Sequence, residues 1–220
     1  MMTATLAPPR TERIPLTTWG VALLMPVGPA AIAVLRLVLP YFKASDTPGM
    51  VDAVQAQPGQ QSAVLWLAYI GVLTLVPGLI AAAGIARAGA PRLTTWAVAL
   101  AVPGYLSLGM FVGADHLLWG ATTAGLTADQ AVAVVEAGHP VIDVALGVFV
   151  LGHVIGTVLL GLALLRSGRI PAWAAWAIAV SQPLHFVALV VFGSPQLDFF
   201  AWSLTAVGMA VVAREVLKDG

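Results

Sequence analysis

The sequence predicts an all-α, polytopic membrane protein with six transmembrane helices built as three parallel helical-hairpin repeats. Of its 220 residues, 60% are apolar and 9% are charged, whereas a soluble domain carries about 25% charged residues. Six segments are apolar over the ~20 residues that a spanning helix needs. In three of these segments a tryptophan precedes a proline by seven residues, which indicates an internal repeat.

The spans follow one another with short connections. Residues 1–15 are polar and proline-rich, which is typical of a cytoplasmic tail, and residues 214–220 form a second one. The first apolar run exceeds the 7–15 residues of a signal-peptide core, so we expect it to stay in the protein. The single transmembrane domain, residues 16–213, contains predicted spans at about 16–39, 62–86, 93–112, 141–165, 171–192 and 197–213.

Two longer connections lie on the side opposite the tails. Residues 41–61 include a short candidate helix at 51–56, and residues 122–140 include another at 128–137. Neither is long enough to cross a bilayer. Thr127 precedes the second with the side chain of a typical N-cap. Both segments are therefore predicted to lie at the membrane surface.

Basic residues predict the orientation. All but two fall on one side of the six spans, and these are Arg10, Arg13, Arg87, Arg92, Arg166, Arg169, Arg214 and Lys218. The positive-inside rule places that side, with both termini, in the cytoplasm. The composition is typical of a bacterial genome, so the predicted location is the inner (plasma) membrane.

The repeat predicts a central cavity. The three pairs are Trp19 with Pro26, Trp96 with Pro103, and Trp176 with Pro183. A tryptophan at the interface anchors its span, and the proline then lies ~10 Å deeper at 1.5 Å per residue. Prolines at that depth kink helices and free carbonyl groups. The alternative is that these prolines only shape helix packing.

Glycines in the fourth span predict close helix contacts. Small residues let membrane helices approach one another closely. The span contains four glycines on related faces: Gly147, Gly152, Gly156 and Gly161.

Ionisable and polar groups inside the bilayer are candidates for function because burying them is costly. The predicted pocket residues are His153, His185, Ser181, Gln182, Asp143, Asp115, His116 and Arg36. All lie at mid-membrane or in the outer half, which predicts a polar pocket that opens outward. Arg36 can pair with Asp143 or extend to lipid headgroups. Alternatively, His153 and His185 each donate one hydrogen bond to a backbone carbonyl that a proline kink exposes.

Composition excludes several functions. There is no cysteine, so thiolate metal sites and disulfides are excluded, and zero net charge gives no indication of nucleic-acid binding. No metal site and no catalytic residue is predicted. The best hypothesis is a protein that binds or transports a small-molecule or lipid ligand, with the bilayer as its other partner. The alternatives are a redox protein with one b-type haem between His153 and His185 or His116, an intramembrane enzyme acting on a lipid-soluble substrate, and a non-catalytic subunit of a membrane complex.

Overall fold

The computed structural model describes residues 15–42 and 46–219, and all regular elements in these ranges are helical. Residues 1–14 of the predicted tail lie outside the described part. The helices are α1 (Leu16–Val38), α2 (Thr47–Ala56), α3 (Pro58–Arg87), α4 (Pro91–Thr123), α5 (Ala128–Glu136), α6 (Val141–Ser167), α7 (Ala172–Val187) and α8 (Pro195–Asp219). A π-helical segment, Ala188–Phe192, continues α7.

Six of the described helices are long and apolar enough to span a membrane. They are α1, α3, α4, α6, α7 with its π-helical segment, and α8, with mean hydropathy between 1.4 and 2.4. This supports the prediction of a multi-pass membrane protein. The third span was expected to end near residue 112, but α4 continues as a helix to Thr123. The short helices α2 and α5 lie within the two long connections of the prediction, and α2 begins four residues earlier than the predicted helix 51–56.

The six long helices form a closed ring in chain order. Each packs on the next, and α8 packs back on α1, while α3 also contacts α6 and α8 across the centre. The inward faces are filled by apolar side chains, among them Met25, Leu79 and Leu160, which are essentially inaccessible. Large apolar side chains such as Trp66 and Leu151 are more than half exposed on the outside. Such an outer face suits contact with lipid.

The two ends of the bundle differ. At one end, the α6–α7 turn meets the last turns of α8 through an ion pair between Arg169 Nη2 and Glu215 Oε1 at 3.2 Å. We call this the basic end, because the α3–α4 turn also places Arg87 and Arg92 there. At the other end, α2 and α5 pack on each other and on α4. We call this the capped end.

Both short helices begin with the expected local hydrogen bonds. Thr127 Oγ1 accepts from the backbone N–H of Gln130 at 3.3 Å, and Gln130 Oε1 accepts from the backbone N–H of Thr127 at 3.0 Å. This reciprocal pair is a capping box, and it confirms Thr127 as the N-cap of α5. At α2, Asp46 Oδ1 accepts from the Gly49 N–H at 3.0 Å.

Three of the four α6 glycines lie where neighbouring backbones come close. A Cβ atom on Gly152 would lie 2.6 Å from the Leu100 carbonyl oxygen of α4. One on Gly156 would lie 2.6 Å from the Ala101 nitrogen, and Gly161 meets α7 in the same way. Gly147 faces open space, so the predicted contact ridge is wrong at that position. The close α4–α6 approach fixes the part of α6 that holds His153.

Candidate functional site

Asp198 is the centre of a buried ionic network. Its side chain is completely inaccessible. Asp198 Oδ2 accepts from Arg36 Nε at 2.5 Å, and Asp198 Oδ1 accepts from His185 Nδ1 at 2.5 Å. Arg36 lies in the last turn of α1, His185 near the end of α7, and Asp198 in the first turn of α8. We call these three residues the ionic network; they lie in the half of the bundle nearer the capped end.

The fold explains why these three side chains meet. Helix α8 packs between α1 and α7, so its first turn lies beside the ends of both. An acidic side chain is favoured at a helix N-terminus and a basic one at a C-terminus, and Asp198 and Arg36 satisfy both preferences. The guanidinium carbon of Arg36 also lies 5.0 Å from the centre of the Phe42 ring, a cation–π contact.

His153 lies beside this network on α6. It is fully buried, and its Nδ1 donates to the Phe149 carbonyl oxygen at 2.5 Å. Its ring centre is 5.6 Å from that of His185 and 6.0 Å from that of Trp202. Among the described residues, His153 Nε2 and Trp202 Nε1 have no hydrogen-bond partner. Because buried polar atoms are nearly always paired, these two are candidates to contact a ligand.

A chain of neutral hydrogen bonds lies next to the ionic network. Gln182 Nε2 donates to Thr205 Oγ1 at 2.9 Å, and Thr205 donates to Ser181 Oγ at 2.7 Å. Ser181 in turn donates to the Ile178 carbonyl oxygen at 2.7 Å. All three side chains are buried. We call Gln182, Thr205 and Ser181 the hydroxyl chain.

The centre of the bundle contains a small cavity. Its volume is about 10 Å³, which is close to the space that one water molecule occupies. Its polar lining comes from Thr205 of the hydroxyl chain and from Tyr105 and Thr157, whose hydroxyl groups lie 2.8 Å apart. Polar groups therefore extend from the ionic network to the middle of the bundle, but in this conformation the cavity is too small for an organic solute.

A second polar group lies at the capped end. The Tyr41 hydroxyl donates to Asp115 Oδ1. The charge of Arg36 and the amide of Gln61 are both close enough to act on the Tyr41 phenol. The Gln61 side chain is fully buried beside them, yet neither its nitrogen nor its oxygen makes a hydrogen bond of good geometry among the described residues. Burial and the Asp115 carboxylate raise the pKa of the Tyr41 phenol well above its ordinary value.

The raised Tyr41 pKa predicts a loss of stability at alkaline pH. The folded protein holds this proton more tightly than the unfolded chain does, so the stabilisation is complete below about pH 10, the ordinary pKa of tyrosine. It decreases as the pH rises further, because only the unfolded chain releases the proton. Thermal unfolding of Tyr41→Phe should therefore depend less on pH above 10 than that of the wild type. Tyr69→Phe, exposed on α3, is the control; equal profiles for all three proteins would contradict a buried phenol.

The structure separates the predicted pocket residues into three groups. His153, His185, Ser181, Gln182 and Arg36 come together in and around the ionic network. Asp115 is partly buried in the neighbouring pair with Tyr41. Asp143 and His116 are exposed. The suggested pairing of Arg36 with Asp143 is wrong, because Arg36 binds the Asp198 carboxylate instead.

His116 lies in a different surface feature. Its ring stacks on that of Trp119, with centres 6.2 Å apart. Both line an open cleft of about 620 Å³ between α3 and α4, together with Ser62, Leu65, Trp66 and Tyr69. The cleft lies on the outside of the bundle toward the capped end, away from the buried ionic network.

Sequence reasoning did not select several residues of the site. Asp198, Trp202 and Thr205 recur on α8 at positions i, i+4 and i+7, which places them on one helical face. That spacing is a signal in the sequence, but Asp198 lies at the very start of the predicted span 197–213, where an acidic residue is expected at the membrane surface. Tyr41 and Gln61 carry no such signal, because they lie at the opposite ends of the connection 41–61 and no helical spacing relates them.

No group of three or more His, Asp or Glu side chains in the described ranges is arranged to hold a metal ion. A haem held between His153 and His185 would require their rings, now 5.6 Å apart, to separate. The haem alternative stays a prediction, and an absorption spectrum of the purified protein tests it.

The polar features of the bundle interior are the ionic network, the hydroxyl chain and the Tyr41–Asp115 pair. No protein-family model matches this chain, and no curated protein or solved structure matches it either.

Proposed function

We propose that this protein binds or transports a small ligand, and that the ionic network with His153 and Trp202 forms its binding centre. The observation that carries the proposal is an ion pair inside a membrane domain, in which the buried Asp198 Oδ2 lies 2.5 Å from Nε of the largely buried Arg36. Ionisable residues at such positions are rare and typically belong to substrate, ion or proton pathways.

Stability alone is a poor explanation for this network. Replacing a buried ion pair by packed apolar residues is often neutral or even stabilising, so a purely structural bundle has little need of one. The unpartnered His153 Nε2 and Trp202 Nε1 add polar atoms that the network itself does not use. A hydrogen-bonding ligand would satisfy them.

The proposal includes an orientation. The described basic residues of the turns and of the end of α8 lie at the basic end, which supports a cytoplasmic location for that end. The capped end then faces outward from a bacterial inner membrane, and both termini are cytoplasmic. In this orientation the ionic network lies in the outer half of the membrane.

The three-hairpin repeat is part of the proposal as well. The ring pairs α1 with α3, α4 with α6, and α7 with α8. Pro26, Pro103 and Pro183 lie inside the first helix of each pair. Parallel repeats related by an axis along the membrane normal are a recurrent plan of transporters, and hairpins in a closed ring are compatible with that plan.

A ligand can reach the binding centre only if the bundle opens. Because the chain contains no cysteine, single cysteines report such opening without a background. We expect Ser181→Cys to react with a membrane-impermeant, charged thiol reagent added at the capped end. Serine and cysteine are nearly isosteric, and Ser181 is completely buried in the conformation described, so reaction requires water to reach the hydroxyl chain.

Two further single cysteines calibrate the reaction. Gln196→Cys, exposed at the capped end, should react fast, and Leu151→Cys, 64% exposed on the lipid-facing side, should react slowly. The proposal predicts an intermediate rate for Ser181→Cys. A rate no higher than that of Leu151→Cys contradicts it, and would favour a non-catalytic subunit with a closed interior.

A further inference from the structure

Asp115 makes no ion pair with any residue that the structure describes. Arg36, His185 and Asp198 are engaged with one another in the ionic network. Arg36 makes its ion pair with Asp198, at 2.5 Å. The well-formed hydrogen bond to Asp115 comes from the neutral hydroxyl of Tyr41, and the uncharged Gln61 amide is the other donor close to it. Even partial removal from water disfavours a carboxylate that has no ion-pair partner.

The surroundings of Asp115 identify what can neutralise it. In the described part of the chain, the side chains that act on it are Tyr41, Gln61 and Arg36. Tyr41 stays a neutral phenol, and Gln61 is uncharged. Asp198 binds Arg36 at 2.5 Å and so competes with Asp115 for the charge of the guanidinium. Among the described residues, Asp115 belongs to no cluster of three metal-ligating side chains.

We propose that Asp115 is a proton-binding site, and that ligand exchange at the ionic network is coupled to this proton. The coupling depends on the proposed function, whereas the proton site does not. Asp115 is partly rather than fully buried, so a proton can reach it from the capped end. The bond that forms is O–H on Asp115, and the bond that breaks is an O–H of a hydronium ion, which becomes water; protonation removes the negative charge of Asp115 near Arg36.

Gln61 allows both states of the carboxyl group. A carboxamide has two N–H donors and one carbonyl acceptor, so it can donate to a carboxylate or accept from a carboxylic acid after a flip. Neither atom makes a hydrogen bond of good geometry in this conformation, although the side chain is completely buried. Gln61 is therefore free to form a hydrogen bond with either the carboxylate or the carboxylic acid form of Asp115, as a site that exchanges protons requires.

Coupling passes through Arg36. While Asp115 is ionised, its charge attracts the guanidinium away from Asp198; once it is protonated, Arg36 is attracted to Asp198 alone. The strength of the Arg36–Asp198 pair, and with it the freedom of His185, therefore depends on one proton at Asp115. Proton relays of Asp and His inside membrane proteins commonly have this function.

Infrared spectroscopy of the purified full-length protein tests the proton site. A carboxylic acid has a C=O stretching band that a carboxylate lacks. We expect this band at neutral pH, where a water-exposed aspartic acid with a pKa of about 4 is ionised, and we expect it to disappear on alkaline titration. Asp115→Asn should remove the band completely, and its amide oxygen can still accept from Tyr41. Asp143→Asn, exposed on α6, should leave it unchanged.

A second variant and two salts, measured in the same infrared experiment, distinguish the alternatives to a proton on Asp115. Tyr41→Phe should shift the band to higher frequency, because a carbonyl without a hydrogen bond vibrates faster; this arm serves if Asp115→Asn fails to fold. A band that sodium chloride removes and choline chloride does not would assign the site to Na⁺ and overturn the proposal. Absence of the band in the wild type, or its survival in Asp115→Asn, also overturns it. The labelling of Ser181→Cys tests whether the bundle opens, and the infrared band tests whether Asp115 carries a proton. Failure of the proposed function and failure of the proton site are therefore distinguishable.

Discussion

Replacing Asp198 by alanine should destabilise the folded protein by about 3–5 kcal/mol, the range found when one partner of a buried ion pair is removed. The reason is the charge left behind. Arg36 is only 16% exposed and makes its ion pair with Asp198, so its guanidinium would stay in a low-dielectric region without a counter-ion. His185 would lose its acceptor at the same time. The free energy of unfolding in detergent measures the effect.

Two variants show whether buried charge is the cause. Asp143→Ala removes an exposed carboxylate of α6 and should change stability little. The double variant Arg36→Met with Asp198→Leu removes both charges and fills their space, so it should be far more stable than Asp198→Ala alone. If Asp198→Ala costs less than about 1 kcal/mol, the value typical of surface ion pairs, then the network is solvated and the argument from burial fails.

The spans could be predicted from the sequence because the bilayer imposes a simple rule. A helix of ~20 apolar residues is needed to cross it, and the structure has six such helices in the described ranges. The end of α4 was predicted less well. Hydropathy reports where a chain leaves the hydrocarbon, whereas a helix ends where its backbone hydrogen bonds end. Residues 113–116 are less apolar but remain helical, so α4 extends to Thr123.

The site could be predicted only in part. The inward direction of Ser181, Gln182 and His185 follows from the cost of placing polar groups in hydrocarbon, and all three are buried. The partner of Arg36 does not follow from such local rules. Asp198 is 162 residues away along the chain, and only the closure of the ring by α8 brings it to α1.

Close packing of α4 on α6 holds His153 in position. Helices α4 and α6 approach so closely that a Cβ on Gly104 would lie 2.5 Å from the backbone nitrogen of His153. A Cβ on Gly152 would lie 2.6 Å from the Leu100 carbonyl oxygen. In both cases the obstacle is backbone, which cannot rotate away as a side chain does. The position of His153 beside His185 therefore depends on glycine at these two places.

Gly152→Ala should consequently destabilise the protein by about 1–3 kcal/mol, the usual cost of overpacking a well-packed core. The added methyl group forces α4 and α6 apart, and the separation also moves His153 away from the ionic network. Gly147→Ala is the matched control on the same helix, because a Cβ there meets no atom within 4 Å. Alanine is the better helix former by about 1 kcal/mol, so the control should be neutral or slightly stabilising. Unfolding free energies measured in one detergent give the comparison, and equal effects of the two substitutions would mean that the α4–α6 contact is looser than the structure has it.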